Sequence, residues 1–143
     1  MDSKFIVKML DAANQARSQS YAPYSKFFVG CAIILKDGSI YTGANIENAS
    51  YSATICAERV VLPMVVSKGL QDQVMALAVV TDTPEPTSPC GVCRQFLSEF
   101  LLEDTPIIIG NSNKNYIITN IKELLPMAFT KKALINPTSG SFC

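Results

Sequence analysis

The spacing of apolar residues divides the first third of the chain into one helix and two strands. In residues 3–20 apolar side chains recur at helical spacing with charged residues opposite them, which predicts an amphipathic packing helix. A nearly unbroken apolar run at 27–36 predicts a strand, and a Lys36-Asp37-Gly38-Ser39 turn leads into a second strand at 40–44. Because Asp-Gly is a strong hairpin signal, these two strands are predicted to be antiparallel neighbours.

The rest of the chain alternates helical and strand patterns. Helices are predicted from Cys56 to about Lys68 and at 90–102 and 121–125, and strands at 74–81, 106–110 and 115–119. Pro63 is expected to kink the first of these helices, because an interior proline removes a backbone donor at a cost of about 3 kcal/mol. Since crossovers between strands place helices over a sheet, the sequence predicts an α/β fold, a three-layer α/β/α sandwich with a mixed sheet of about five strands.

Composition bounds the size and the partners of the protein. The 143 residues fit a single domain over 1–143, with a loose tail from about 136. Twelve basic and twelve acidic residues cancel. With no basic excess to neutralise phosphates, a small molecule is a better partner than a nucleic acid. A mean hydropathy of +0.23 favours self-association. No signal-type segment or membrane-length apolar run is present, so we expect a cytoplasmic protein with no membrane partner.

Three cysteines and one glutamate carry the candidate chemistry. Cys56 and Glu58 share one motif, and Cys90 and Cys93 share another, which follows the helix-start residues Thr87-Ser88-Pro89, interpreted as N-cap and N1. Positive helix ends lower a cysteine pKa. The chain contains no histidine. Three clustered thiolates would therefore be the soft ligands for a tetrahedral zinc ion whose fourth position is left for water.

The cysteines also allow other interpretations. A Cys-x-x-Cys pair at a helix start suits thioredoxin-like exchange, so a redox role for Cys90 and Cys93 is an alternative. The distant Cys56 beside a glutamate disfavours it. Cys31, inside an apolar strand, is expected to be core packing, and Cys143 an exposed tail thiol.

The order of these motifs resembles a known family. Cys-Ala-Glu at 56–58 followed by Pro-Cys-x-x-Cys at 89–93 is similar to the signature of the zinc-dependent cytidine deaminases, in their small homotetrameric branch. Three further segments fall in family order, at 21–27, 43–49 and 123–129, so the resemblance covers roughly residues 5–130. It implies one Zn²⁺ per subunit, held by Cys56, Cys90 and Cys93. The implied reaction is hydrolysis of cytidine and deoxycytidine to uridine and deoxyuridine with release of ammonia, in pyrimidine salvage.

Glu58 is the expected catalytic residue. In the implied reaction zinc-bound hydroxide attacks C4, while one carboxylate moves protons from water to N3 and then to the departing amine. Positions i and i+2 of a regular helix lie about 200° apart. Cys56 and Glu58 therefore converge only if the first turn is irregular or if Cys56 is still extended. Three thiolates leave zinc with a net negative charge, which Arg59 is expected to offset by donating hydrogen bonds to the sulfurs.

The remaining candidate residues would bind the nucleoside. Asn45 and Glu47 alternate with Ile46 and would face one side of an extended segment. The resemblance assigns them to the ribose 3′-hydroxyl, Phe27 to the pyrimidine ring, and the backbone around Ala57 to the 4-amino group or O2.

Tyr51 and Phe129 match positions that, in the tetrameric branch of the family, reach into a neighbouring subunit's pocket. The resemblance therefore implies a homotetramer with sites shared between subunits. One alternative is a deaminase of another cytosine compound, of the blasticidin type, although the Asn45-Ile46-Glu47-Asn48 stretch looks like the nucleoside form. A non-catalytic zinc module is the other alternative. Such a site needs a fourth protein ligand, for which no spare cysteine or histidine is suitably placed.

Overall fold

Five strands form one mixed sheet in the computed structural model, which describes residues 1–135. The strands are β1 (Gly30–Leu35), β2 (Ile40–Ala44), β3 (Val74–Thr81), β4 (Ile107–Asn111) and β5 (Tyr116–Thr119). Their spatial order is β2-β1-β3-β4-β5, and only the β3–β4 pair is parallel. The predicted hairpin of β1 and β2 is confirmed. The predicted tail from about 136, with Cys143, lies outside the described residues.

Helices cover both faces of this sheet. The α-helices are α1 (Ser3–Ala16), α2 (Ala57–Ser67), α3 (Gly91–Phe100) and the short α4 (Ile121–Leu124). The apolar stripe of α1, which includes Met9 and Leu10, packs on one face against Ile34 and Ile108. Residues of α2 and α3 share a second core with the opposite face, made chiefly of Val61, Leu62, Val65, Leu97, Ile33, Leu77 and Ile107. The predicted three-layer α/β/α sandwich is therefore confirmed.

The first strand begins later than its apolar run. The run starts at Phe27, but β1 starts at Gly30. Two backbone groups of the preceding residues bond to the Asn45 side chain: the carbonyl oxygen of Phe27 accepts from Asn45 Nδ2, and Val29 N donates to Asn45 Oδ1. The carbonyl oxygen of Val29 still accepts from Asn45 N, directly after β2. Gly30 itself is required, because a Cβ there would lie 1.9 Å from the carbonyl oxygen of Ala13 on α1.

Helix α2 passes through its proline. Pro63 lies inside the helix, which continues to Ser67, so the proline does not end it. The kink at this position stays a prediction. Among residues 1–135 no helix combines the length and the apolar character needed to cross a bilayer.

Met127 adopts a backbone conformation that favours glycine. Its φ is +54°, and its side chain is fully exposed. A left-handed residue with a Cβ costs about 1–2 kcal/mol. We therefore expect Met127→Gly to have a free energy of unfolding about 1 kcal/mol higher than Met127→Ala, which keeps the Cβ, after the larger unfolded-state entropy of glycine is subtracted. The urea midpoint of Met127→Gly should be higher accordingly. Equal midpoints for the two variants at one protein concentration would contradict this.

Candidate metal centre and active site

The cysteine motifs lie where helices α2 and α3 begin. Cys56 is the N-cap residue of α2, with φ −70° and ψ 155°, and Cys90 is the N-cap residue of α3, with φ −66° and ψ 165°. The prediction that Thr87-Ser88-Pro89 supplies the N-cap and N1 residues is wrong. The cysteines take the N-cap positions themselves, in an extended backbone conformation and without a side-chain hydrogen bond to the helix. Cys93 lies in the first turn of α3.

The three sulfurs form a group that fits a zinc ion. Cys56 Sγ lies 3.8 Å from Cys90 Sγ. All three sulfurs, including that of Cys93, lie within 4.8 Å of one another. Zinc–sulfur bonds of about 2.3 Å at tetrahedral angles separate two ligand sulfurs by about 3.8 Å. Within residues 1–135 the possible metal-binding group consists of these three side chains, so the donor set leaves one corner of a tetrahedron for a ligand from outside the chain.

Hydrogen bonds favour the ionised form of Cys56. Its pKa is lowered to about 5, chiefly by the hydrogen bond from Cys93 and then by those from Arg59 and Cys90. The pKa of Cys93 is raised, by its hydrogen bond to Cys56 and by burial. The Cys56 thiolate is thus ready to receive a cation.

Glu58 is a buried carboxylate beside the sulfurs. It is 3% exposed, and its Oε2 lies 3.6 Å from Cys93 Sγ. Burial raises its pKa above the ordinary value. Cys56 precedes the helix in an extended conformation. The two side chains therefore converge because Cys56 is still extended, and the separation of about 200° between positions i and i+2 of a regular helix does not apply to Cys56 and Glu58.

Arg59 donates from Nη2 to Cys56 Sγ at 3.6 Å. Its Nε is a buried donor with no partner among residues 1–135. A cavity of about 670 Å³ opens beside it, lined by Ile55, Arg59, Pro63, Gly91, Val92, Gln95 and Phe96. The guanidinium therefore faces the sulfurs on one side and an open surface on the other.

Asn45 is buried against the segment that carries Phe27. Its Nδ2 donates to the carbonyl oxygen of Phe27 at 2.7 Å, and its Oδ1 accepts from Val29 N at 3.0 Å and from the Ser20 hydroxyl. The amide thus fixes the backbone on which the exposed Phe27 ring is mounted, and its second Nδ2 hydrogen has no partner among residues 1–135. Sequence reasoning did not find Ser20, because nothing in its local pattern indicates a contact twenty-five residues away.

Glu47 faces the same segment as Asn45. Its carboxylate accepts from Tyr24 N at 3.0 Å, from Ser25 N at 3.1 Å and from the Ser25 hydroxyl. The hydroxyl of Ser25, with smaller help from these backbone bonds, lowers the pKa of Glu47. Ile46 is exposed between the two polar residues, so the structure shows the alternation that the sequence predicts.

The other candidate residues lie in different environments. Ala57 is fully buried at the start of α2. Tyr51 is 77% exposed, with its ring centroid 6.1 Å from that of Tyr24, and Phe129 is 59% exposed. The carbonyl oxygen of Phe129 accepts from Gln95 Nε2 of α3 at 2.8 Å. Both rings therefore lie on the surface of a single chain.

Comparisons with known proteins agree with this geometry. A family model described as "Cytidine and deoxycytidylate deaminase zinc-binding region" matches residues 3–109. Cytidine deaminase from Halalkalibacterium halodurans is 48% identical over 91% of this chain and 96% of its own, and that from Sporosarcina psychrophila is 46% identical over 90% and 94%. The crystal structure of cytidine deaminase from Burkholderia pseudomallei superposes with a TM-score of 0.83 at 38% identity, covering 90% of this chain and all of the other.

The matched region contains both cysteine motifs and Glu58, and the relatives are matched over nearly their whole length. The chain belongs to the cytidine and deoxycytidylate deaminase family, whose zinc-binding region it carries.

Proposed function

We propose that the protein hydrolyses the 4-amino group of cytidine and deoxycytidine, giving uridine or deoxyuridine and ammonia. The observation that carries this proposal is the buried Glu58 carboxylate beside a cluster of three thiols, with its Oε2 3.6 Å from Cys93 Sγ. Because burial raises its pKa above the ordinary value, this carboxylate is a stronger base for a water proton than an exposed one, and it can return that proton.

Cys56, Cys90 and Cys93 would hold the zinc ion. When bound, zinc supplies the Lewis-acid chemistry that makes a water molecule nucleophilic near neutral pH. Arg59 withdraws charge from Cys56 through its Nη2 hydrogen bond, which offsets the excess negative charge of three thiolates.

Glu58 accounts for the protons of the reaction. Its carboxylate takes one proton from the attacking water and delivers it to N3 of the pyrimidine. The second proton of that water passes through the same carboxylate to the amino group, because ammonia leaves and an amide anion does not. Water and the amine thus become the C4 carbonyl and ammonia, with Glu58 returned to its starting state.

The nucleoside would lie over residues 20–29 and 45–47. Phe27 would pack on the pyrimidine, and the backbone around Ala57 would contact the 4-amino group or O2. Glu47 and the second N–H of the Asn45 amide would bind the ribose 3′-hydroxyl. Glu47 stays ionised because Ser25 and the backbone lower its pKa, so it is a strong acceptor for a sugar hydroxyl.

The activity itself is tested by the loss of cytidine absorbance on mixing with purified protein. We expect turnover of cytidine and deoxycytidine, and none of cytosine, CMP or single-stranded DNA. Turnover of blasticidin S alone would select the related drug deaminase. If fully zinc-loaded protein left the cytidine absorbance unchanged, the protein would be a non-catalytic zinc module and the proposal would be overturned.

The proposed assembly is a homotetramer with sites shared between subunits, in the cytoplasm. It is supported by the exposure of Tyr51 and Phe129 and by the cavity at Arg59, whose Nε has no partner within residues 1–135.

Phe129→Ala should then weaken nucleoside binding and assembly together, because one exposed ring would serve a neighbouring pocket. The expected result is a cytidine KM that rises while the sedimentation profile shifts toward smaller species. Leu102→Ala is the matched control, since Leu102 is exposed on the same chain but has no assigned role. A tetramer with unchanged KM would contradict the shared site.

A further inference from the structure

Arg94, in the first turn of α3, joins three separate parts of the chain. Its Nε donates to the carbonyl oxygen of Pro89 at 2.8 Å, and its Nη2 donates to the Ser88 hydroxyl at 2.7 Å. Its Nη1 donates to the carbonyl oxygen of Leu124, at the end of α4, at 2.8 Å. One half-buried guanidinium therefore ties the loop before Cys90 to the last α-helix.

All three acceptors of Arg94 are neutral. Within residues 1–135 the ion pairs join Arg17 to Asp82 and Lys114 to Asp11, so no carboxylate of that part pairs with Arg94. Attraction to a counterion therefore does not explain its position. The planar fork of a guanidinium can reach three acceptors in different directions, whereas a lysine ammonium on its flexible stem cannot hold the same three.

Of the three candidate metal ligands, Cys90 has the fewest contacts that hold its sulfur in place. It is exposed, and within residues 1–135 the hydrogen-bond partner of its sulfur is Cys56 Sγ. Cys56 also accepts from Arg59, and Cys93 is buried beside Glu58. Because Cys90 is an N-cap residue outside the regular turns of α3, the place of its sulfur depends on the backbone that precedes it.

That backbone is the segment Arg94 holds. Pro89 has no N–H to donate, so its carbonyl oxygen is the group through which its position can be fixed, and Arg94 Nε binds it. The next residue, Gln95, binds the carbonyl oxygen of Phe129. Two consecutive side chains of α3 therefore attach the ligand loop and the segment after α4 to the same turn of helix.

We propose that Arg94 is a positioning residue that holds the Ser88-Pro89 backbone so that Cys90 Sγ stays at the metal centre. The inference rests on the proposed zinc site. Residues that orient metal ligands typically change metal affinity or activity by about 10–100-fold when they are replaced. Loss of the fork should loosen the metal by a similar factor while leaving both apolar cores in place.

The test follows zinc release from Arg94→Lys, which keeps the charge and loses the fork. Zinc-loaded protein is mixed with an excess of a chromogenic chelator, and we expect release about 10–100-fold faster than from the parent protein. Ser88→Ala removes one of the three hydrogen bonds and should give an intermediate rate. With cobalt in place of zinc, the visible absorption bands that report tetrahedral sulfur ligation should shift in Arg94→Lys.

Asn120→Ala is the matched control. Asn120 caps α4 by accepting from Glu123 N at 3.0 Å, so its loss loosens the same helix from the other end and leaves the Arg94 bonds in place. Zinc release from this variant should stay near the parent rate. Equal acceleration in the control, or a parent-like rate in Arg94→Lys, would overturn the inference. If Arg94→Lys fails to fold, a parent-like rate in Ser88→Ala overturns it instead. A parent-like rate of zinc release from Arg94→Lys overturns the role of Arg94 but not the proposed function. If the parent protein binds no zinc, both the role of Arg94 and the proposed function are wrong.

Discussion

Replacing Glu58 by glutamine is expected to lower kcat for cytidine about 10²–10⁴-fold, the range that one positioned acid–base group contributes. Glutamine keeps the size and the hydrogen-bonding oxygen of the side chain but cannot take a proton from water or return one to the amine. Zinc should remain bound, because the three sulfurs form the metal-binding group without this side chain.

The measurement is the rate of cytidine absorbance loss together with the zinc content of the same sample. Glu99→Gln is the matched control, because Glu99 is an exposed glutamate on α3 and the substitution is chemically identical. It should keep full activity. Undiminished turnover in zinc-loaded Glu58→Gln would remove the proton shuttle from the mechanism.

The same substitution should stabilise the metal-free protein near neutral pH. Burial raises the pKa of Glu58, so the folded state holds this proton more tightly than the unfolded state does. The carboxyl group therefore favours folding most strongly below its ordinary pKa, and that contribution is lost as pH rises from the ordinary pKa through the raised one. Glutamine does not titrate. The urea midpoint of metal-free Glu58→Gln should exceed that of the parent near pH 7, with a smaller difference near pH 4.

Long apolar runs explain why so much of the fold could be predicted. The strand expected at 74–81 is β3, Val74–Thr81, and the strand expected at 40–44 is β2, Ile40–Ala44. β3 lies between β1 and β4 and is buried along almost its whole length. An apolar run of that length bounded by polar residues has few alternatives to a central strand.

The boundaries that went wrong depend on contacts between distant residues. β1 starts at Gly30 because the side chain of Asn45, fifteen or more positions away, binds the carbonyl oxygen of Phe27 and the N–H of Val29. The N-cap of α3 was assigned to the wrong residues because Cys90 occupies the position that a polar side chain usually takes. Neither effect leaves a local signal in the sequence.

The candidate site, like the fold, has a part that the sequence predicts and a part that depends on contacts between distant residues. Residue type and order were sufficient to select Cys56, Cys90 and Cys93, since no other soft ligands are clustered in the sequence. They did not reveal which side chains hold these residues in place. Arg94 contacts Leu124 thirty positions further on, and such a contact exists only once α3 and α4 have packed.

Cys56→Ala is expected to remove bound zinc and, with it, the deaminase activity. Four-ligand zinc sites in zinc fingers bind with about 10–16 kcal/mol, or roughly 2.5–4 kcal/mol for each ligand, so losing one thiolate should weaken binding about 10²–10³-fold. The lowered pKa of Cys56 keeps this sulfur ionised near neutral pH, so no proton has to leave it before it binds the cation. Elemental analysis after dialysis and the cytidine assay measure the two losses on one sample.

Cys31→Ala is the control that distinguishes the loss of a metal ligand from the loss of any cysteine. Cys31 is fully buried in β1 and belongs to the apolar core, outside the three-sulfur group. Its replacement should lower the free energy of unfolding by about 1 kcal/mol through the small cavity that it leaves, with zinc content and activity unchanged. Cys56→Ala should instead lose zinc and activity, while its metal-free form unfolds at about the same urea midpoint as the metal-free parent, since Cys56 is only partly buried at the surface end of α2. If Cys56→Ala kept its zinc through dialysis, the metal would be held elsewhere, and the assignment of the three sulfurs would fail.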